Sequence, residues 1–341
     1  MPDRARFIAV FALSALVLLA ATYGYYRVEV GRIRELKYRE ISAVGELKAA
    51  QIKQWREERL ADVQQPAISP FFRRALQDWQ RSGFKSDLAS QWKERLNLER
   101  KRGFADALLF DPDGNLILSG RGDAGPVDQA TSRAVNECVN SGNPTLSDLY
   151  RAADGHMYTD AAATVLDTAG APIAVLVQRN DAVAFLFPLV QSWPTASRSA
   201  EIYLVHRERQ EAVVLSDLRD QPRSALSYRY PLTQTDRPAV RAVLGTRGVF
   251  EGLDYRGVRV LADLRAIPGS PWYQVVKVDA DEFLAEARFR AGVSGLVGAL
   301  FVLLAGAAVA WWYRQRQARL YRGLYPALTV AFQGLALVVG A

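Results

Sequence analysis

Cysteine occurs once in this chain, as Cys138, and histidine twice, as His156 and His206. A lone cysteine has no intramolecular disulfide partner, so the fold must hold without one. Two histidines limit both zinc sites and general acid–base schemes. The motifs HExxH, CxxC, GxSxG and the P-loop are also missing. No enzyme constellation, metal site or cofactor is therefore expected. His156 lies in a turn sequence, Asp154-Gly-His-Met, and His206 in a charged hairpin; both read as solvated. Charge of one sign is not in large excess: the formal net charge is +7, from scattered arginine. A basic helix around Trp92, with Lys93, Arg95, Arg100, Lys101 and Arg102, is diluted by Glu94 and Glu99. It reads as a solvated face, and no nucleic-acid partner is expected. With 50% hydrophobic and 23% charged residues, the chain is not disordered.

Proline is absent from Tyr25 to Val63, and only Gly31 and Gly45 weaken helix there. Apolar residues at Ile33, Leu36, Ile41, Val44, Leu47, Ile52, Trp55 and Leu60 fall on one broad face. Glu35–Arg39 and Glu46–Ala50, with Lys48 and Lys53, place charge on the other. Such a helix is about 55–60 Å long at ~1.5 Å per residue, a stalk. Pro66 and Pro70 are expected to end it.

The stalk follows the apolar run Phe7–Tyr23, long enough to span a bilayer, or alternatively a cleaved signal peptide. A second run, Ala291–Tyr313, ends in Trp311, Trp312 and Tyr313, which suit an interfacial belt. Gly292, Gly295, Gly298 and Gly306 would let helices approach closely. Arg314, Arg316, Arg319 and Arg322 favour the tail inside, whereas the charges around the first span argue the other way. Residues 324–341 are apolar again, either a third span or a truncated end.

Between the spans, helices are predicted at Phe71–Arg81 and Ser86–Arg102. Strands flank the turn signal Asp111-Pro-Asp-Gly114 within Ala105–Gly120. Those turn letters resemble part of a calcium loop whose later ligands are missing. Gly120–Gly125 matches GxGxxG, but its strand belongs to a hairpin, so it reads as a turn into helix Val127–Val139. If it binds anything, its amides favour an anion. Strands follow at Thr145–Tyr150, Met157–Asp167 and Ile173–Arg179. A second set comprises Ser199–His206, Ala212–Asp217, a helix at Pro238–Leu244, then Gly248–Tyr255, Val258–Ala266 and Trp272–Val278.

The two sets repeat. Gly170-Ala-Pro-Ile-Ala-Val-Leu-Val matches Gly269-Ser-Pro-Trp-Tyr-Gln-Val-Val276, and Asp181-Ala-Val-Ala-Phe-Leu matches Asp279-Ala-Asp-Glu-Phe-Leu. Each module runs hairpin, helix, long strand, tight turn, closing strand, exit helix. Antiparallel neighbours make the fold class α+β. The period of about 100 residues makes two domains rather than a solenoid. The recurrence of Asp181 as Asp279 points to a cap on the exit helix.

A stalk out of one span, two such modules and a return span resemble the double Cache sensory region of bacterial transmembrane receptors. The stretches 47–62, 188–201, 243–262 and 266–279 resemble the subgroup found ahead of PAS, histidine kinase or diguanylate cyclase domains. The resemblance covers about residues 7–316 and implies PAS-like antiparallel sheets flanked by helices. It divides the chain into a cytoplasmic tail (1–6), a span (7–26), a stalk (27–65), a membrane-distal module (66–190) and a membrane-proximal module (191–288). A second span (289–313) and a juxtamembrane segment with apolar tail (314–341) follow. It implies a sensor in the bacterial inner membrane with its sensory region in the periplasm, signalling as a homodimer through stalks and spans. The stalk positions Ile41, Val44 and Leu47 are expected to pair. A small-molecule ligand and a cytoplasmic signalling partner are implied, because no output domain follows Tyr325. The alternative is a non-sensing scaffold or receptor remnant.

The pocket is expected in the distal module, where Tyr150, Tyr158 and Arg179 lead a set that includes Arg121, Arg151, Asp160 and Asp181. Family members that bind amino acids carry Arg-x-Trp-Tyr and then Tyr-x-Asp. Here Tyr150 is followed by Ala152 in place of the aspartate, and no Arg-x-Trp-Tyr precedes it, so an amino-acid ligand is not supported. Trp193, Tyr255 and Trp272 read as packing.

Overall fold

The computed structural model describes residues 2–83, 86–122 and 126–339. Helix α1 extends the proline-free stretch in both directions, from Pro2 to Ile68, and Gly45 does not break it. Pro66 sits inside the helix rather than ending it. It lacks one amide donor, and the helix stops two residues later. Ser69 then accepts from the Phe72 amide, with Pro70 at the first position of α2, Pro70–Arg81.

The chain forms two compact units, Met1–Lys37 with Asp281–Ala341, and Tyr38–Ala280. In the first, α1 packs against the last helix, α7, Ala280–Val339. A Cβ on Gly298 would lie 3.6 Å from both Leu18 and Thr22, and one on Gly306 2.8 Å from the Phe11 ring. The glycines thus let two apolar helices approach closely. Arg290 pairs with Glu29 at 3.4 Å. Apolar stretches beginning at Phe11 in α1 and spanning Arg288–Trp312 in α7 are long enough to cross a membrane. The backbone stays helical to Val339, but the surroundings of 319–341 lie outside the described residues, and with them the possible third span.

The second unit carries two antiparallel sheets. The first uses β1 (Asp106–Phe110), β2 (Leu116–Ser119), β3 (Thr145–Leu146), β4 (Tyr150–Arg151), β5 (Met157–Leu166) and β6 (Pro172–Asp181). Their order is β2-β1-β6-β5-β3, with β4 on β5. The second uses β7 (Glu201–Glu208), β8 (Glu211–Val214), β9 (Arg229–Pro231), β10 (Gly248–Leu253), β11 (Arg259–Ala266) and β12 (Trp272–Asp279). Their order is β10-β11-β12-β7-β8-β9. Read in reverse, the second order matches the first, with β10 in the place that β3 and β4 share and β9 added at the far edge, so the sequence repeat is a repeat of topology.

The first sheet is covered on both sides, and alternate residues of one strand serve each side. Leu109, Ala161, Ala163 and Leu176 pack with Val63 and Ala67 of α1, with α2, and with Trp92 and Leu96 of α3, Ser86–Lys101. Leu108, Phe110, Ala162 and Val177 face α4, Gln129–Ser141, where Cys138 is fully buried. In the second module, Tyr203, Val205, Ala262, Leu264 and Val275 face α6, Pro238–Val243. The opposite face lies on α1: Gln274 donates to the Gly45 carbonyl at 3.3 Å, and Arg265 to the Ser42 carbonyl at 3.0 Å.

Several expectations shift. Leu36 and Leu47 are 66% and 50% exposed, so neither belongs to the buried stripe. Lys48, expected among solvated charges, is buried and donates to Leu189 O at 2.8 Å and Ser192 Oγ at 2.6 Å. Burial pulls its pKa down. The helix expected at 127–139 starts two residues later. The strand expected at 145–150 splits around Ser147, whose amide and hydroxyl both bind the Asp160 backbone. Asp181 does cap the exit helix, accepting from the Val183 and Ala184 amides across a π-helical turn into α5, Phe187–Gln191. Asp279 instead pairs with Arg256, and its own amide donates to Ser199.

Candidate functional site

Antiparallel pairing sets Asp160 of β5 directly opposite Arg179 of β6, and Asp106 of β1 opposite Arg179 on the other side. The Arg179 guanidinium grips Asp160 with two forked bonds, Nε to Oδ1 at 3.1 Å and Nη2 to Oδ2 at 3.2 Å. Asp160 Oδ2 also accepts from Tyr150 at 2.7 Å and from Thr131 of α4 at 2.6 Å. The guanidinium lies 5.2 Å from the centre of the Tyr158 ring and 5.8 Å from that of Tyr150. All five side chains are buried, where an ion pair persists only if its remaining donors and acceptors are satisfied.

Electrostatics follow from burial. Burial alone would weaken the Arg179 charge, but Asp160 outweighs it and keeps the guanidinium firmly protonated. Burial, then the Asp160 charge, lifts the Tyr150 hydroxyl far above its ordinary range. Tyr158 is lifted by burial and by Asp154, to which it donates at 3.0 Å. Both phenols therefore stay neutral donors. Asp128, beside the start of α4, is raised by burial and by Asp160 and Asp154, against the pull of Arg179. Burial raises Asp154, but its bonds from the His156 amide and Tyr158, with Arg121 nearby, hold it below the usual carboxylate range.

Of the sequence candidates, Tyr150, Tyr158, Asp160 and Arg179 converge. Arg121 stands at the rim, 3.7 Å from Asp154. Arg151 and Asp181 do not join them. Arg151 reaches away to the Ala225 carbonyl of the second module at 3.1 Å, and Asp181 is spent on helix amides. Thr131, Asp128 and Asp154 belong to the cluster and were missed. Gly120 and Arg121 close β2, where the Arg121 amide donates to Asp106; Asp123, Ala124 and Gly125 of the glycine turn lie outside the described residues.

No protein-family model matches the chain, and no curated protein matches it in sequence. Solved structures do match. The ligand-binding domain of the Pseudomonas fluorescens chemoreceptor CtaA, in complex with L-isoleucine, superposes with a TM-score of 0.52 at 17% identity, over 75% of this chain and 98% of that one. The fold is that of a chemoreceptor ligand-binding domain. The extracellular domain of mmHK1S-Z2, named as a histidine kinase, matches with a TM-score of 0.50 at 14% identity, over 72% of this chain and 98% of that one.

The second module carries a counterpart of the cluster. Lys277 stands two residues before Asp279 as Arg179 stands two before Asp181. Buried Lys277 contacts Glu201 at 2.8 Å and Asp254 at 2.7 Å beneath the Tyr255 ring. Trp272, read as packing, is buried and also links the modules, donating to Asp148 at 2.7 Å.

Proposed function

We propose that this chain is the extracytoplasmic ligand sensor of a bacterial inner-membrane receptor. Residues 66–190 form its membrane-distal module, 191–288 its membrane-proximal one, and the helices at 7–26 and 289–313 are its spans. One observation carries the reading: two like modules ride on one long helix, in a fold matching the whole CtaA ligand-binding domain. The ligand is a small molecule held in the first module over the Tyr158 and Tyr150 rings. Arg179 and Arg121 direct it, and Asp160 locks Arg179 in place. Among the described residues Arg179 Nη1 has no hydrogen-bond partner, so the ligand offers an acceptor there. Asp160 is already neutralised by Arg179, which disfavours an ammonium group at that carboxylate. The role is sensing rather than catalysis, in keeping with a binding-domain fold.

The test is a small-molecule thermal-shift screen of the full chain in detergent. A genuine ligand raises the unfolding midpoint of the wild type but not of Y158F or R179K. The reading fails if no compound stabilises the protein, or if stabilisation survives both substitutions.

Signal output is carried by a homodimer paired through α1, with a cytoplasmic partner downstream. Ile41 and Val44 are consumed by packing within the protomer, so pairing falls to exposed positions. Cysteines at Leu36 and Leu47 are expected to crosslink between protomers in native membranes. Absence of crosslinks at both positions removes stalk pairing from the proposal.

A further inference from the structure

A cavity of about 350 Å³ opens between the two modules, apart from the Arg179 cluster. Arg151, His156, Met157 and Val183 form its first-module wall, and Asp217 and Arg223 its second. Its size is at the small end of ligand pockets, about 300–1,000 Å³.

Its donors and acceptors are unequally occupied. Arg151 spends one N–H on Gly155 O at 3.3 Å and one on Ala225 O at 3.1 Å, leaving three. Arg223 makes no hydrogen bond or ion pair among the described residues. Each acid has one oxygen committed to backbone amides, so two carboxylate oxygens face eight remaining arginine N–H groups. Asp181 Oδ1 accepts from the Val183 and Ala184 amides, and Asp217 Oδ1 from the Ala225 amide at 3.0 Å. Met157 and Val183 supply an apolar surface beside the two forks.

The backbone at Arg223 points the same way. Arg223 sits at φ +62, in the left-handed region that glycine occupies without strain. The loop around it is pinned. Leu218 N donates to Ser224 Oγ at 2.7 Å, Tyr228 N to Ser224 O at 2.8 Å, and Leu226 N to Val214 O at 2.7 Å. A left-handed arginine, on a loop tied by these hydrogen bonds and without a partner among the described residues, lines the cavity.

We infer that this cleft is a second binding site, for a small organic anion: a carboxylate with a short apolar body, clamped between Arg151 of one module and Arg223 of the other. The carboxylate takes the forked N–H groups and the apolar body lies on Met157 and Val183. Such a ligand joins the two modules directly. The inference goes beyond the sensor reading and stands on residues outside the Arg179 cluster.

The test is isothermal titration of the full chain in detergent with butyrate, succinate and benzoate, and with inorganic phosphate as an anion without an apolar body. At least one carboxylate is expected to saturate, and phosphate to bind at least about tenfold more weakly. R223G suits the local backbone and so retains the fold; it is expected to weaken carboxylate binding at least about tenfold. The inference is overturned if none of the three carboxylates saturates by about 10 mM, if phosphate binds equally well, or if R223G binds like the wild type. If R179K removes the binding instead, the probe occupies the first-module cluster; the cleft site is then wrong while the sensor reading stands.

Discussion

At the scale of single residues, the first module turns on one buried pair. Arg179 and Asp160 satisfy each other through two bonds, and Tyr150 and Thr131 complete the carboxylate. Truncating one partner leaves the other charged and buried, a loss of about 3–5 kcal/mol. R179A is therefore expected to lose that much in urea unfolding, whereas Y158F costs far less because Asp154 remains in contact with water. Asp148 offers a pH test between the modules. Burial raises its carboxyl, but His206, the Trp272 indole and the Arg56 charge outweigh burial and hold it below the ordinary carboxylate range. Its folded pKa is lowered, so its stabilising contribution is complete above about pH 4 and is lost as pH falls through the lower folded value. Wild type should lose more stability than D148N between about pH 5 and about pH 3.

At the scale of elements, α1 is informative because two of its glycines, Gly31 and Gly45, have opposite surroundings. A Cβ on Gly45 would stand 2.4 Å from Asp263 Oδ2, whereas one on Gly31 meets nothing within 4 Å. Asp263 is fully buried and held by Arg265 at 2.6 Å, so it cannot retreat. Alanine gains about 1 kcal/mol of helix propensity at either site. At Gly45, overpacking of about 1–3 kcal/mol exceeds that gain. G45A should lower the thermal midpoint and G31A should hold or raise it. The helix itself was legible, since period and missing proline show in the letters. Which charges it buries was not. Lys48 is satisfied by Leu189 and Ser192, far away in sequence, and no local pattern announces such partners. The hydrophobic stripe likewise overcounted Leu36 and Leu47, because a helix contacts its cargo only where the cargo lies.

At the scale of the whole molecule, duplication was the strongest sequence signal. The Gly-x-Pro turns and the two Asp-x-x-x-Phe-Leu exits fix the same strand order twice. The candidate site was half legible. Asp160 and Arg179 face each other across the turn near Gly170, so hairpin register alone brings them together. Thr131 arrives on a helix that crosses the sheet, and nothing local to its sequence marks it. Asp279 shows where repetition misleads. The same letter that caps a helix in one module anchors Arg256 in the other, because the second module uses Lys277 and Asp254 where the first uses Arg179 and Asp160. W272F removes the indole donor to Asp148 while keeping an apolar ring. It is expected to lose about 1 kcal/mol and to raise amide exchange in the Asp148–Arg151 segment without changing exchange in α4.

The notch at Gly45 constrains how any message moves along α1. A piston stroke of one helical turn, about 5.4 Å, would bring Ile41 or Ala49 to the place facing Asp263, where even a methyl group does not fit. The glycine acts as a detent that forbids axial slippage past the second sheet. A tilt about that point, unlike a whole-turn slide, leaves the glycine facing Asp263.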